Sequence, residues 1–197
     1  MRRGKKGNYA FIDSQNLNVS VQKYGWKMDW KKFRQWLSDN YGVTKAYMFI
    51  GYVPEYEDIY EKMHQAGYAV VLKPTFDMSR PQPEEKTHPN GEEKKVKGNV
   101  DADMVLWAMK ELANYQKAVI VSGDGDFFGL VEYLDQVGRL HKILTPTGQY
   151  SSLFRQFEKY IERLDNHRRE LAYRDRRHNG NHKSSKPATV PKPPQQD

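Results

Sequence analysis

Short apolar segments alternate along the chain with longer segments in which apolar residues recur every three or four positions. An unbroken apolar run is typical of a buried strand, and the longer spacing is typical of a helix packed by one face. The pattern predicts strands over 9–13, 46–53, 68–72, 118–122 and 141–144. It predicts helices over 15–24, 30–40, 55–66, 100–114 and 127–136, and a last helix from Ser151 or Ser152 through Leu164.

Strands that alternate with helices and are apolar throughout indicate a parallel sheet that is covered on both faces. Because crossover connections are right-handed, the expected fold is an α/β three-layer αβα sandwich with about five strands. We expect the strand order 3-2-1-4-5, in which strands one and four are neighbours whose connections leave in opposite directions. Ligands of such sheets bind at the carboxyl ends of the strands beside this switch point.

The regular pattern is confined to residues 9–164, which we expect to form one domain. Residues 1–8 are predicted to be a flexible basic arm, and residues 165–197 a basic helix end followed by a disordered polar tail. An insert at 73–97 contains four prolines and few apolar residues. The sequence leaves open whether this insert forms a projecting hairpin or has no regular structure.

The formal net charge is +7, and the basic residues are concentrated at both ends of the chain. This distribution suits a polyanionic partner, although basic ends also serve solubility alone. The absence of cysteine excludes disulfides and thiolate zinc sites, and six scattered histidines argue against a histidine metal site. We find no apolar run long enough for a membrane span and expect a cytoplasmic protein with no membrane partner. The sequence does not determine the oligomeric state, and a homodimer is one of the states that it allows.

Carboxylates stand where the predicted strands end. Asp13 ends the first strand, and Asp124 and Asp126 follow the strand over 118–122 on a glycine-containing turn. In the predicted strand order Asp13 and Asp124 face each other across the switch point. Like charges beside apolar segments are costly unless a cation lies between them, so we expect a metal site here. Asp-Gly-Asp is also an ordinary turn sequence, and this alternative stays open.

The helix predicted over 100–114 begins with two further acids, Asp101 and Asp103. Successive helical residues are about 100° apart, so these two side chains diverge by roughly 200°. Asp101 shares a face with the apolar residues and is the better candidate ligand. Asp103 faces solvent, where it complements the helix dipole.

Three neighbouring polar residues are candidates for a supporting role: Asn16, Ser122 and Lys97. Asn16 either holds an acid in place or makes a helix-start hydrogen bond, Ser122 binds a carboxylate or phosphate oxygen, and Lys97 either meets a phosphate or is solvated. Oxygen ligands without histidine or cysteine select Mg²⁺ or Mn²⁺.

The segments FIDSQNL (11–17), KGNVDADMVL (97–106) and VSGDGDF (121–127) together resemble the NYN domain family, PIN-like nucleases of the LabA-like branch. The stretch YSSLFRQF (150–157) is also similar to the family. The resemblance implies a PIN-like αβα fold, metal-dependent ribonuclease activity, and binding of Mg²⁺ or Mn²⁺ by Asp13, Asp101, Asp124 and Asp126. Many relatives have one more acid at the position that Trp107 occupies here.

Two functions are therefore weighed. The first is a Mg²⁺- or Mn²⁺-dependent ribonuclease that hydrolyses RNA phosphodiester bonds without a covalent enzyme intermediate. The second is a catalytically weak or inactive RNA-binding module of the same fold, which Trp107 motivates. A phosphatase of the haloacid dehalogenase type is disfavoured, because residue 15, two positions after Asp13, is Gln15 and not an acid.

Overall fold

The computed structural model describes residues 6–52, 56–73 and 100–174. In these residues the chain forms a six-stranded sheet in which every neighbouring pair of strands is parallel. The strands are β1 (Asn8–Asp13), β2 (Val43–Gly51), β3 (Tyr68–Lys73), β4 (Ala118–Val121), β5 (Leu140–Thr145) and β6 (Ile161–Arg163). Their spatial order is β3-β2-β1-β4-β5-β6. The α/β fold is confirmed, as is the predicted order of the first five strands.

Helices lie in the connections between the first five strands, and one more follows β6. Those in the described residues are α1 (Ser14–Lys23), α2 (Trp30–Tyr41), α3 (Glu57–Gln65), α4 (Asp101–Lys110), α5 (Phe128–Gln136) and α6 (Arg168–Leu171). The side chains of Asp13 and Asp29 accept hydrogen bonds from backbone N–H groups in the first turns of α1 and α2. Such caps satisfy donors that a helix start leaves free. Gly42 ends α2 in the left-handed conformation, with φ of 60°.

The core has two halves, one on each face of the sheet. Alternate residues of a strand face opposite sides, so Ile12 packs with α1 and α2 whereas Phe11 packs with the layer of α4 and α5. Both side chains are fully buried. Burial on both faces explains why the strands are apolar throughout instead of alternating.

The predicted last helix is wrong. A 3-10 segment, Ser152–Tyr160, is kinked at Phe157, and β6 then pairs with the open edge of β5. A second 3-10 segment, Leu164–His167, leads into α6. Pairing with β5 satisfies backbone groups that a helix would satisfy internally, so the backbone has no need of a continuous helix.

The packed body continues beyond the predicted domain end at 164. Leu171 is fully buried, and the backbone N–H of Tyr173 donates to the carbonyl of Lys27. Residues 1–5, most of the predicted insert (74–97) and the tail from 175 onward lie outside the described residues. None of the helices in the described part of the chain has the length and apolar character needed to cross a membrane.

Candidate active site at the carboxyl edge of the sheet

The switch point lies between β1 and β4, which are neighbours in the sheet. Asp13 is the last residue of β1, and Ser122 directly follows β4. The pairing of Ile12 with Val121 brings these two residues side by side at the carboxyl edge. Asp13 and the turn after β4 therefore meet as the strand order predicted.

The Asp13 carboxylate is held at this edge by two hydrogen bonds. Its side chain is buried, with 4% of the residue exposed. Oδ1 accepts from the backbone N–H of Asn16 at 3.0 Å, and Oδ2 accepts from the Ser122 hydroxyl at 3.2 Å. These two contacts fix the orientation of the carboxylate in the space between β1 and β4.

Burial raises the pKa of Asp13 above its ordinary value, because a low-dielectric site disfavours the charged form. The hydrogen bonds from Asn16 and Ser122 lower it, and the negative charges of Asp101 and Asp124 raise it again. Repulsion of this kind falls off with distance, so three carboxylates from β1, α4 and the β4 turn lie close enough to influence one another. The sequence predicted that these acids converge here.

Ser122 links the two halves of the site. Its fully buried hydroxyl donates to Asp13 and accepts the backbone N–H of Asp124 at 3.1 Å. The side chain of Asn16 accepts the backbone N–H of Gly123 at 3.0 Å, so Asn16 ties α1 to the β4 turn. Neither role predicted for Asn16 included this contact, which depends on the fold bringing α1 and β4 together.

The turn after β4 leaves little room for a side chain. Oδ1 of Asp124 accepts the backbone N–H of Asp126 at 3.1 Å, and the carbonyl of Gly123 accepts the N–H of Ser151 at 2.9 Å. A Cβ atom at Gly125 would lie 2.5 Å from the Ser151 hydroxyl oxygen. Asp124 is partly exposed and Asp126 is exposed.

The two acids of α4 have different surroundings, and Asp103 is half-buried in an ion pair instead of facing solvent as predicted. Asp101 is partly buried and acts electrostatically on Asp13. Asp103 forms an ion pair with Lys73 at the end of β3, with 3.2 Å between Oδ2 and Nζ. Lys73 was not singled out from the sequence, although it directly follows the strand predicted over 68–72. Lys97 lies outside the described residues.

Trp107, which occupies the position of the additional family acid, packs among aromatic and basic side chains. Its ring centroid lies 5.2 Å from that of Tyr47, and the ammonium of Lys110 lies 4.5 Å from the Trp107 ring centroid. This side chain therefore adds packing beside the sheet but no carboxylate.

The donor chemistry of the site suits a hard divalent cation. The side chains of Asp13, Asp101 and Asp124 offer oxygen atoms only as ligands. A bound cation would reduce the electrostatic repulsion among these carboxylates. In the described part of the chain, however, no three His, Asp or Glu side chains are grouped closely enough to hold an ion by themselves. Mg²⁺ usually keeps several waters and binds one or two carboxylates together with substrate phosphates. The residues present fit that mode of binding.

The fold and this site define a doubly wound parallel α/β protein with carboxylates at the switch point. The sequence matches the NYN domain over residues 9–172, and the chain belongs to this family of PIN-like nucleases.

Two individual proteins are similar to this chain. The "Low amplitude and bright protein LabA" of Synechococcus elongatus is 26% identical over 131 residues, which are 63% of this chain and 65% of LabA. The chain therefore matches slightly less than two thirds of the length of this relative. The crystal structure of a protein of unknown function from Vibrio parahaemolyticus has a TM-score of 0.64 at 20% identity. That likeness covers 88% of this chain and 100% of the other, and it concerns the fold alone.

Proposed function

We propose that this protein is a ribonuclease that hydrolyses RNA phosphodiester bonds with Mg²⁺ or Mn²⁺. The observation that supports the proposal most is that the Ser122 hydroxyl donates to the Asp13 carboxylate and accepts the backbone N–H of Asp124, which holds these two acids together at the switch point. Membership of a family of PIN-like nucleases supports the same reaction class. The basic ends of the chain suit a polyanionic substrate.

In this proposal Asp13 and Asp124 hold the cation together with waters and a substrate phosphate, and Asp101 and the exposed Asp126 are further candidate ligands. The cation would neutralise charge on the phosphate and make an attacking water more acidic. Ser122 keeps the Asp13 carboxylate and the backbone of Asp124 in a fixed relation through its two hydrogen bonds. This pre-organisation limits the rearrangement needed when substrate binds.

The test is cleavage of labelled single-stranded RNA with Mg²⁺ or Mn²⁺, with and without EDTA. Asp124→Asn is expected to lower the cleavage rate by about 100-fold or more, because a metal ion supplies several kcal/mol of transition-state stabilisation. Asp39→Asn is the matched control, since Asp39 is an exposed acid of α2 on another part of the surface. Cleavage that persists in EDTA, or in Asp124→Asn, contradicts the proposal.

A second candidate function is RNA binding without turnover. Trp107 in place of an acid and the lack of a pre-formed group of three ligands in the described residues favour it. It predicts RNA affinity that survives, or rises, when Asp13 and Asp124 are replaced together by Asn, because electrostatic repulsion of phosphates then falls. A gel-shift series with wild type and the double variant, together with the cleavage assay, separates the two functions.

A further inference from the structure

The acidic site lies at one end of a row of polar residues that continues along the carboxyl edge of the sheet. The pairing of β4, β5 and β6 places Ser122, Thr145 and Arg163 side by side, next to Asp13. All four share the strand face that packs against α4 and α5. Neighbouring strands lie about 4.8 Å apart, so three strand spacings separate the backbones of Asp13 and Arg163 by about 14 Å.

Thr145, in the middle of this row, has a side-chain hydroxyl that forms no hydrogen bond within the described part of the fold. The residue is fully buried, and its hydroxyl has no hydrogen-bond partner among the described residues. Buried hydroxyls normally have a partner, so an unsatisfied one beside a candidate substrate path is an unusual feature. Its position next to Arg163 adds polar character to that side of the edge.

The guanidinium of Arg163 is oriented by Asp165. Nε donates to Oδ1 at 3.0 Å, and Nη2 donates to Oδ2 at 2.6 Å. A guanidinium has five N–H donors in a rigid planar fork, and this ion pair uses two of them. Nη1 donates to no residue in the described ranges. Asp165 therefore fixes the plane of the guanidinium and leaves its remaining donors for a second anion, and the Arg163 side chain is 45% exposed.

Gly148, in the loop after β5, makes room for this guanidinium. A Cβ atom at Gly148 would lie 3.0 Å from Cζ of Arg163 and 3.2 Å from Nη1. Contacts this short require the neighbouring atoms to move. The lack of a side chain at this position is therefore part of what places the guanidinium.

Tyr150 connects the acidic turn with Arg163. A Cβ atom on Gly123 would lie 3.3 Å from Cβ of Tyr150, and the next residue, Ser151, is hydrogen-bonded to Gly123. The Tyr150 side chain also lies near enough to Arg163 to contribute, after Asp165, to the raised pKa of its guanidinium. An aromatic ring beside a guanidinium is a common arrangement for single-stranded nucleic acid, since the ring stacks on a base and the guanidinium binds phosphate.

We propose that Arg163 binds a backbone phosphate of single-stranded RNA, and that Tyr150 supports a base between this phosphate and the acidic site. The proposal rests on the proposed function in taking RNA as the ligand. A separation of about 14 Å leaves room for several nucleotides of a single strand between the acids and Arg163. A contact on this side of the acids would fix the line along which the strand crosses the carboxyl edge.

The test measures binding, by fluorescence anisotropy of a short labelled single-stranded RNA in EDTA, over a range of salt concentrations. Arg163→Gln is expected to weaken Kd by about 5- to 10-fold and to reduce the slope of log K against log salt by about 0.7, the value for one phosphate contact on a single strand. Lys31→Gln removes one positive charge from an exposed residue of α2, outside the basic ends of the chain, and should change Kd by less than about twofold.

Two further variants keep the test valid if Arg163→Gln is poorly folded. Gly148→Ala retains every charge but displaces the guanidinium, and it should weaken binding in the same direction. Tyr150→Leu should weaken Kd by about tenfold through loss of stacking, with the salt slope unchanged. A wild type that binds no RNA, or folded Arg163→Gln and Gly148→Ala proteins with wild-type Kd and salt slope, overturns the proposal.

These outcomes are separable from failure of the ribonuclease proposal. If Arg163 contributes to binding but no RNA is cleaved with either metal ion, the phosphate subsite stands and the ribonuclease proposal fails. If RNA is cleaved while the Arg163 and Gly148 variants bind like wild type, only the subsite is wrong.

Discussion

Replacement of Ser122 by alanine tests how the candidate site is held together. The buried hydroxyl makes two hydrogen bonds, one to the Asp13 carboxylate and one from the backbone N–H of Asp124. A hydrogen bond to a charged group contributes about 1.5–3 kcal/mol, and a neutral one contributes about 1 kcal/mol. Because a fully buried position offers no water in compensation, Ser122→Ala should lower the free energy of unfolding by about 2–4 kcal/mol.

The loss should depend on pH. The hydrogen bond from Ser122 lowers the pKa of Asp13, so the bond favours the ionised carboxylate. Without it the pKa of Asp13 rises further, and the variant is penalised most where wild-type Asp13 is ionised. The deficit should therefore be large at about pH 8 and smaller at about pH 4.5, where more of the carboxyl is protonated in both proteins.

The assay is thermal and urea unfolding of both proteins at these two pH values. At about 3 °C per kcal/mol for a body of this size, the melting temperature should fall by about 6–12 °C near neutral pH. Ser20→Ala is the control, because the Ser20 hydroxyl in α1 makes no hydrogen bond to any described residue. A loss below about 1 kcal/mol, or an equal loss at both pH values, would mean that the Ser122 hydroxyl does not stabilise the ionised Asp13 carboxylate.

Three further substitutions have distinct expected results. Asp13→Asn should raise the melting temperature near neutral pH. The pKa of Asp13 is raised in the folded protein, so the wild type loses stability as the pH rises through that pKa, and Asn carries no such charge. Thermal unfolding should show a gain that shrinks toward about pH 4, and an undiminished gain there would contradict this. Gly125→Ala should slow RNA cleavage and lower the melting temperature, since its Cβ would lie 2.5 Å from the Ser151 hydroxyl oxygen. Gly129→Ala is the control, because a Cβ there meets nothing within 4 Å. Equal cleavage rates and melting temperatures of the two variants would be inconsistent with a tightly packed turn. Leu164→Ala should cost about 2–5 kcal/mol in urea unfolding as a fully buried leucine, whereas a change near zero would mean that the segment after β6 is not part of the folded core.

The features that the sequence predicted well depend on local chemistry. Asp13 and Asp29 cap α1 and α2 through local contacts, because a short acidic side chain satisfies free N–H groups within three residues. Continuous apolar strands separated by helices limited the sheet to few topologies, which is why the positions of β1 and β4 at the switch point were predictable. The convergence of Asp13, Asp101 and Asp124 followed from that topology.

The features that were missed depend on contacts between distant parts of the chain. The apolar stripe that includes Leu153 and Phe157 suits a helix, yet the segment kinks at Phe157 and continues into β6 along the edge of β5. The ion pair of Asp103 with Lys73 and the contact between Asn16 and Gly123 each join residues at least 30 positions apart. Local spacing contains no information about such partners until the fold is known.

In the proposed site Asp13 and Asp124, brought together by the sheet, hold one divalent cation between them. Calorimetric titration of the protein with Mn²⁺ tests it most directly, with Asp13→Asn, Asp124→Asn and the control Asp39→Asn measured alongside. We expect saturable binding to wild type and to Asp39→Asn, and binding at least about tenfold weaker in each of the two site variants. Equal Mn²⁺ affinity in all four proteins, or no binding to any of them in the presence of single-stranded RNA, would contradict it.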